Sequence, residues 1–297
     1  MESFIIENAG NTCYIDSLLI GLFYSKSSLE TMLNKDIKNT MGIYLQEFIK
    51  EKFVKMVRDN KSVLSEDMTM IKTLCFQLGW RVINSDTHYN DEFYRQQDVN
   101  EFFTFLMEIF ENEQIEITRH TITEINDETG AKEYIPFIPL AIPESNNSIT
   151  IKQMLHSWLF DNILDFKKFV PQSQKEEYVS GLNTYTITNI PNMLALSINR
   201  FKEQDTRIDT DVIIQKKIIL PAKDNYFNSY EWFFHAAICH RGISTRSGHY
   251  YTLLSHNNKW YLFDDMQVPC LKEVSMTDKS VTNLIKKECI FLIYKLT

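Results

Sequence analysis

The apolar residues change their spacing near residues 111–116, and that change sets the fold class. Before it the spacing is helical. Ile15, Leu18, Leu19, Leu22 and Phe23 place a helix over 13–24, with Asn11 and Thr12 as candidate caps. Tyr44, Leu45, Phe48, Phe53, Val54 and Val57 mark a second helix. Met70, Ile71, Leu74, Cys75 and Leu78 mark a third that ends at Gly79. The strongest covers 98–110: Asp98 and Glu101 form a D-x-x-E start, and Val99, Phe102, Phe103, Leu106, Met107 and Phe110 make one apolar stripe. Beyond the change, Ile115 to Ile122 alternates and is rich in β-branched residues, as a half-buried strand requires. Asp127-Glu128-Thr129-Gly130 is expected as its turn and Glu133 to Ile138 as the return strand, with Pro136, Pro139 and Pro143 limiting regular structure nearby. One more helix is expected over 149–160, and strands over 184–190, 193–201, 212–220, 232–239, 250–255, 259–263 and 289–295. A helical first third before a mostly β remainder gives an α+β class, two lobes with a cleft between them.

The 297 residues suit one large domain or two subdomains sharing a cleft. A net charge of −8 argues against nucleic acid as the main partner, which would want a basic face. The longest apolar runs, such as Leu18 to Phe23, are too short to cross a bilayer, and Met1-Glu2-Ser3 does not begin a secretory signal. The five cysteines (Cys13, Cys75, Cys239, Cys270 and Cys289) form no C-x-x-C pair, so neither a disulfide framework nor a cysteine zinc site is expected. The expected setting is a reducing one, cytoplasm or nucleus.

One cysteine stands apart. Cys13 follows the small and polar run Asn8-Ala9-Gly10-Asn11-Thr12 and opens a helix, where the N-terminal field favours a thiolate. The other four lie in apolar stretches and read as small core residues. Asn8 could donate to an oxyanion beside the Cys13 N–H, although a loop asparagine needs no such role. His249 follows Gly248 at the start of an aromatic, β-branched strand. Asp264 and Asp265 end a strand shortly after it, and either could accept the Nδ1–H of His249, although a polar turn explains the pair equally well. Asp98 has a complete explanation as a helix cap. A thiol, an imidazole and a carboxylate are the parts of a nucleophilic cysteine site.

Taken together these segments resemble the ubiquitin-specific protease family of cysteine deubiquitinases. Asn8 to Ser17 is similar to its cysteine box, Gln96-Gln97-Asp98-Val99-Asn100-Glu101-Phe102 to its Q-Q-D-x-x-E-F element, and Leu194 to Phe201 to its strand ending in R-F. Ala236 to Gly242, Gly248-His249-Tyr250 and Trp260 to Val268 are similar to its histidine box, and the matches run in family order. The resemblance implies a papain-like fold with thumb, palm and fingers. Residues 1–297 would be one catalytic domain, with a mainly helical thumb over 1–113 and palm and fingers over 114–297, the fingers roughly 114–190. It implies Cys13 as nucleophile, His249 as general base and acid, Asp264 as orienting carboxylate with Asp265 alternative or assisting, and Asn8 at the oxyanion hole. Gln97, Asp98, Gly248 and Tyr250 would meet the substrate tail. The implied partner is ubiquitin or a ubiquitin-like modifier and its conjugates, and no cofactor is implied. A silent modifier-binding scaffold of the same fold is the alternative.

Two departures from the family pattern stand beside the nucleophile: Asp16 where Asn is usual, and Ile20 where Gln is frequent. Family fingers commonly carry two C-x-x-C pairs on zinc, whereas residues 111–190 hold no cysteine. The expectation is that the zinc is lost and that packing, including Trp158, Leu159 and Phe160, replaces it.

Overall fold

The computed structural model describes residues 4–81, 93, 95–123, 127–143, 148–202, 206–222, 225–244 and 247–296; the Met1-Glu2-Ser3 start lies outside them. Helix α1, Cys13–Phe23, is buried at every position. A helix apolar all round belongs in the middle of a structure, and α1 lies between the other helices and the large sheet. The other helices of this lobe are α2 (Thr31–Asn34), α3 (Thr40–Phe48), α4 (Lys55–Arg58), α5 (Ser65–Gln77) and α6 (Val99–Ile109), of which α6 packs directly on α1. A π-helical stretch, Ile49–Val54, joins α3 to α4 in one rod, which is the expected second helix. Gly79 takes φ +94 directly after α5, a left-handed stop that suits glycine. Asp98 caps α6 by accepting from the N–H groups of Asn100 and Glu101, but Glu101 turns to Arg81 and leaves the capping box half made.

Four antiparallel strands form one sheet in the order β2-β1-β6-β5, from β1 (Ile115–Thr123), β2 (Asp127–Ile135), β5 (Asn162–Val170) and β6 (Lys175–Ile187). The larger sheet runs β13-β12-β11-β10-β14-β7-β3. Its members are β3 (Ile138–Ala141), β7 (Met193–Asn199), β10 (Asn225–Ser244), β11 (Ser247–His256), β12 (Lys259–Phe263), β13 (Leu271–Val274) and β14 (Cys289–Leu296), and β9 (Lys217–Ala222) pairs with β10 beside them. A short parallel pair joins β4 (Ser148–Thr150) to β8 (Asp211–Ile213). Side chains alternate across the large sheet as the pleat dictates. Ala236, Ile238, Tyr250 and Leu254 face α1 and its neighbours. Ala237, Cys239, Tyr251 and Leu253 face a second core that includes α7 (Ile151–Phe160) and Ile285 of α8 (Lys279–Glu288).

Several expectations are corrected. Asp127 to Gly130 is not a turn: Ile122 pairs with Asp127, and the strand bulges where Gly130 passes Arg119. Pro136 ends β2, and Ile138 opens a different strand, parallel to β7 at the sheet edge where Pro139 needs no ladder N–H. The strand expected over 212–220 divides into β8 and β9. Strand β5 and strand β13 had no clear pattern; helix α8 was not expected although Val281, Leu284 and Ile285 keep helical spacing, and of these it fully buries only Ile285. Near the small sheet, Leu159 is buried and Trp158 stacks on Tyr185 at 4.5 Å, but Phe160 at the helix end is 46% exposed and does not fill a core. No described helix is long and apolar enough to cross a membrane.

His235, on β10 beneath α1, is 2% exposed, and its Nε2 lies 3.4 Å from the Leu22 carbonyl. Burial pulls it from 6.5 down to about 4, and burial does the same to His240. The unfolded chain therefore binds protons that the folded chain refuses as pH falls from 6.5 towards 4. Stability is complete above this window and declines within it, by about 1–3 kcal/mol per pH unit for the pair. Urea unfolding across this range should show that slope, and His235→Gln should reduce it; a flat profile would contradict the burial of both rings.

Candidate active site

The loop before α1 is wound tightly. Gly10 and Asn11 both take positive φ, +77 and +56. Thr12 sits at the N-cap but does not cap with its side chain. Its Oγ1 instead accepts from the Ala9 N–H at 3.2 Å and donates to Asp16 at 3.3 Å. The turn delivers Cys13 to the helix head with its thiol 4% exposed and facing β11. There the Tyr250 N–H lies near enough to the sulfur to favour its thiolate.

Residue 249 is the neighbour of that donor. The His249 imidazole extends to the end of β12, the next strand in the sheet, where Asp264 Oδ1 accepts from Nε2 at 2.8 Å. The Met266 N–H also donates to this oxygen, at 3.0 Å. The sequence expectation named Nδ1 for this bond. The carboxylate comes from the outer strand and meets the distal ring nitrogen, so Nδ1 is the atom left for the thiol. No hydrogen bond joins Cys13 Sγ to His249 among the described residues.

Asp265 lies 3.5 Å from the same Nε2, and its other oxygen accepts from Asn8 Nδ2 at 2.9 Å. The Asn8 Oδ1 accepts from the Thr12 N–H at 3.5 Å. Asn8 thereby bridges the nucleophile loop to the acid-bearing loop. Its carboxamide retains a second N–H beyond the one given to Asp265. The two acids are set apart electrostatically. Burial opposes ionisation of Asp264, but the His249 hydrogen bond and charge, the Met266 N–H and Arg241 outweigh it and hold the acid below its ordinary value. Burial, with Asp264 beside it, raises Asp265. His249, Asp264 and Asp265 offer ligand atoms within 4.8 Å of one another, so a cation could be held there, but only by displacing the imidazole–carboxylate bond.

Burial pushes the Cys13 thiol up to about 12, Asp265 and Asp16 push the same way, and the N–H groups of Tyr250 and Tyr14 oppose them. The helix head was expected to favour the thiolate; in this arrangement desolvation is the larger effect.

Gly248 has φ +151, and a Cβ there would lie 2.5 Å from His240 Nε2 and 2.6 Å from the Arg241 carbonyl. Gly242 is equally closed, 2.7 Å from His240 Cε1. The His240 ring is buried against Tyr250, with centroids 4.7 Å apart, and Gln96 Nε2 meets its Nε2 at 3.2 Å. Arg207 fixes the surrounding backbone by donating to the carbonyls of His240, Gly242 and Lys287.

The other expected substrate residues differ in placement. Asp98 is half-buried at the head of α6. Gln97 and the Tyr250 ring are buried, at 4% and 2% exposure, so they support the cleft from behind rather than line it. Sequence reasoning missed Gln96 and His240 as partners. It also missed Lys72, a lysine inside the apolar stripe of α5 beside Met68, Ile71 and Cys75; a charge on a core face was the available signal.

Comparison with known proteins agrees with this architecture. The family model described as ubiquitin carboxyl-terminal hydrolase matches residues 5–294. The chain belongs to the ubiquitin carboxyl-terminal hydrolase family. Among curated relatives, the probable ubiquitin carboxyl-terminal hydrolase 16 of Schizosaccharomyces pombe is 21% identical over 97% of this chain, which spans 65% of that protein. Ubiquitin carboxyl-terminal hydrolase 46 of Caenorhabditis elegans is 22% identical over 92% of this chain and 80% of its own length. Among solved structures, the SAGA Ubp8/Sgf11/Sus1/Sgf73 DUB module bound to monoubiquitin matches with a TM-score of 0.69 at 14% identity, covering 100% of this chain and 69% of that one. The same module bound to ubiquitin aldehyde matches equally well, at a TM-score of 0.69. The fold is that of the deubiquitinase Ubp8, the α+β class expected from the sequence.

A sulfur held as neutral thiol should be a slow nucleophile until something rearranges around it. Alkylation of Cys13 by iodoacetamide in the free protein, followed by peptide mass spectrometry, should accelerate with pH without levelling below about pH 9. A plateau below neutrality would show that the thiolate is already formed.

Proposed function

We propose that the chain is a thiol hydrolase that cleaves the isopeptide or peptide bond after the C-terminal glycine of ubiquitin or a ubiquitin-like modifier. The observation that carries the reading is the joining of three elements. The Cys13 sulfur meets the N–H of Tyr250, and the adjoining His249 is tied through Nε2 to Asp264 at 2.8 Å.

In this reading the substrate tail enters beside Gly248, where His240 and the Arg241 carbonyl leave this position no room for a side chain of its own. His249 takes the thiol proton at Nδ1 as Cys13 attacks the glycine carbonyl. Asp264 keeps the Nε2–H in place and stabilises the imidazolium that forms. The tetrahedral oxyanion is met by the Cys13 N–H, one of the unpaired donors at a helix start, and by the Asn8 carboxamide. His249 then protonates the leaving amine, and water, deprotonated by the same ring, releases the acyl group and restores the thiol. Asp265 raises the local negative charge and holds Asn8; it is the assisting acid. Asp98, half-buried at the head of α6, is the candidate for a basic residue of the tail.

Residues 1–113 are assigned to the thumb, which carries Cys13, and 114–297 to palm and fingers. The sheet β2-β1-β6-β5 makes the fingers within roughly 114–190. Its exposed Ile163, Tyr178, Phe169 and Tyr134 suit the apolar face of a globular modifier. The solved neighbours are titled as bound to monoubiquitin and to ubiquitin aldehyde, which supports ubiquitin as the partner.

A panel of ubiquitin and ubiquitin-like proteins carrying C-terminal electrophiles tests this directly. At least one should form a covalent adduct with the wild-type protein and none with Cys13→Ala. His249→Ala should lower turnover of a fluorogenic modifier substrate by about 10²–10⁴-fold. No adduct from any modifier, or an undiminished adduct with Cys13→Ala, would overturn the reading.

A further inference from the structure

Beneath the nucleophile loop lies a lysine that no step above uses. Lys72 comes from the middle of α5 and is 0% exposed. Its Nζ donates to the Gly10 carbonyl at 2.8 Å and lies 4.7 Å from the centre of the Phe93 ring. Burying an ammonium on a helix whose other buried residues are Met68, Ile71, Leu74 and Cys75 is costly, and an apolar residue would be buried there more cheaply. The contact it makes is specific: Gly10 is the first of the two positive-φ residues that turn the chain into Cys13. The groups facing it from α1 are Asp16, fully buried with Oδ1 lacking a partner, and Cys13 itself.

We propose that Lys72 is a positioning residue for the nucleophile: its buried ammonium fixes the Gly10 carbonyl, and through it the turn that sets Cys13 and Asn8 in register, while placing a cation within electrostatic reach of the sulfur. The proposal rests on the thiol-hydrolase reading above. Two consequences distinguish it from simple packing. The cation favours the thiolate that attack requires, against Asp265 and Asp16, which disfavour it. Burial also draws the ammonium down to about 8, with Asp16 and Cys13 resisting, so the charge that holds the loop is itself lost in mild alkali. Asp16, at the position where the family usually has Asn, is the acid nearest in sequence to this pair. Burial raises it well above the usual carboxylate range, and Thr12 donates to it.

The test uses the full chain with the modifier substrate that the probe panel identifies. Lys72→Met keeps the length and apolar stem of the side chain and removes the charge. It should lower kcat by about 10–100-fold with KM little changed. It should also slow Cys13 alkylation at pH 8 under native conditions, while the thermal midpoint holds or rises. Lys72→Arg should recover part of kcat. The double variant Asp16→Asn/Lys72→Met should stay slow, because the Gly10 carbonyl is still unheld. Full recovery in the double variant would show that Lys72 only neutralises Asp16 and would overturn the proposal. So would a Lys72→Met protein with wild-type kcat and alkylation rate. Either result leaves a reactive wild-type protein, and so leaves the hydrolase reading standing; a wild-type protein inert to every modifier removes both.

Discussion

Helix α1 lying against strands β10 and β11 is the contact on which everything else depends. A Cβ at Gly21 would sit 3.4 Å from Ala236 Cβ and Ile238 Cδ1, ordinary van der Waals contact, so the helix lies directly on the sheet there. Thr252 Oγ1 donates to the Ser17 carbonyl at 2.8 Å and pins the helix along its length. With those two contacts set, the first residue of α1 meets the backbone of Tyr250, and residue 249 follows from strand geometry. The chain separates Cys13 from His249 by most of its length; one packed interface brings them together.

The electrostatics around that interface favour the neutral thiol. The sulfur is buried and drawn towards the neutral thiol, Asp265 and Asp16 add to that tendency, and the N–H groups of Tyr250 and Tyr14 act against it. In the proposed reaction the proton leaves only when that balance is changed, as by His249 turning Nδ1 to the sulfur when a substrate carbonyl arrives. Asp264 can guide such a motion because it is ionised, buried and held by the Met266 N–H as well as by the imidazole. Asn8 ties the nucleophile loop to the same carboxylate cluster.

Much of this was legible from residues alone. The period of α6 and the placement of Cys13 at a helix start were local properties, and local periodicity reports them. The ordered motifs supplied the candidate site residues and the family. What stayed hidden was non-local. The nitrogen of His249 that meets Asp264 depends on which neighbouring strand supplies the acid. The raised Cys13 thiol depends on how much of the chain folds over it. Gln97 and Tyr250 match family motifs, yet their side chains are buried, because a motif marks a position and not the direction in which its side chain points. Strand β5 escaped because its apolar residues keep no clean spacing and pairing with β6 determines its structure instead, whereas helix α8 does show helical spacing at Val281, Leu284 and Ile285 and a capping Asp278, a signal that was missed. Lys72 had a signal in its own helix, a charge within an apolar stripe, but the carbonyl that it serves lies 62 residues earlier.

The most direct measurement is a crystal structure of the covalent adduct between the protein and a modifier bearing a C-terminal electrophile. The expected result is a bond at Cys13 Sγ, with His249 Nδ1 within hydrogen-bond reach of the reacting atoms and Nε2 still on Asp264. A bond at another cysteine, or an imidazole that presents Nε2 to the sulfur and leaves Asp264 unpaired, would contradict the geometry on which the proposed chemistry stands.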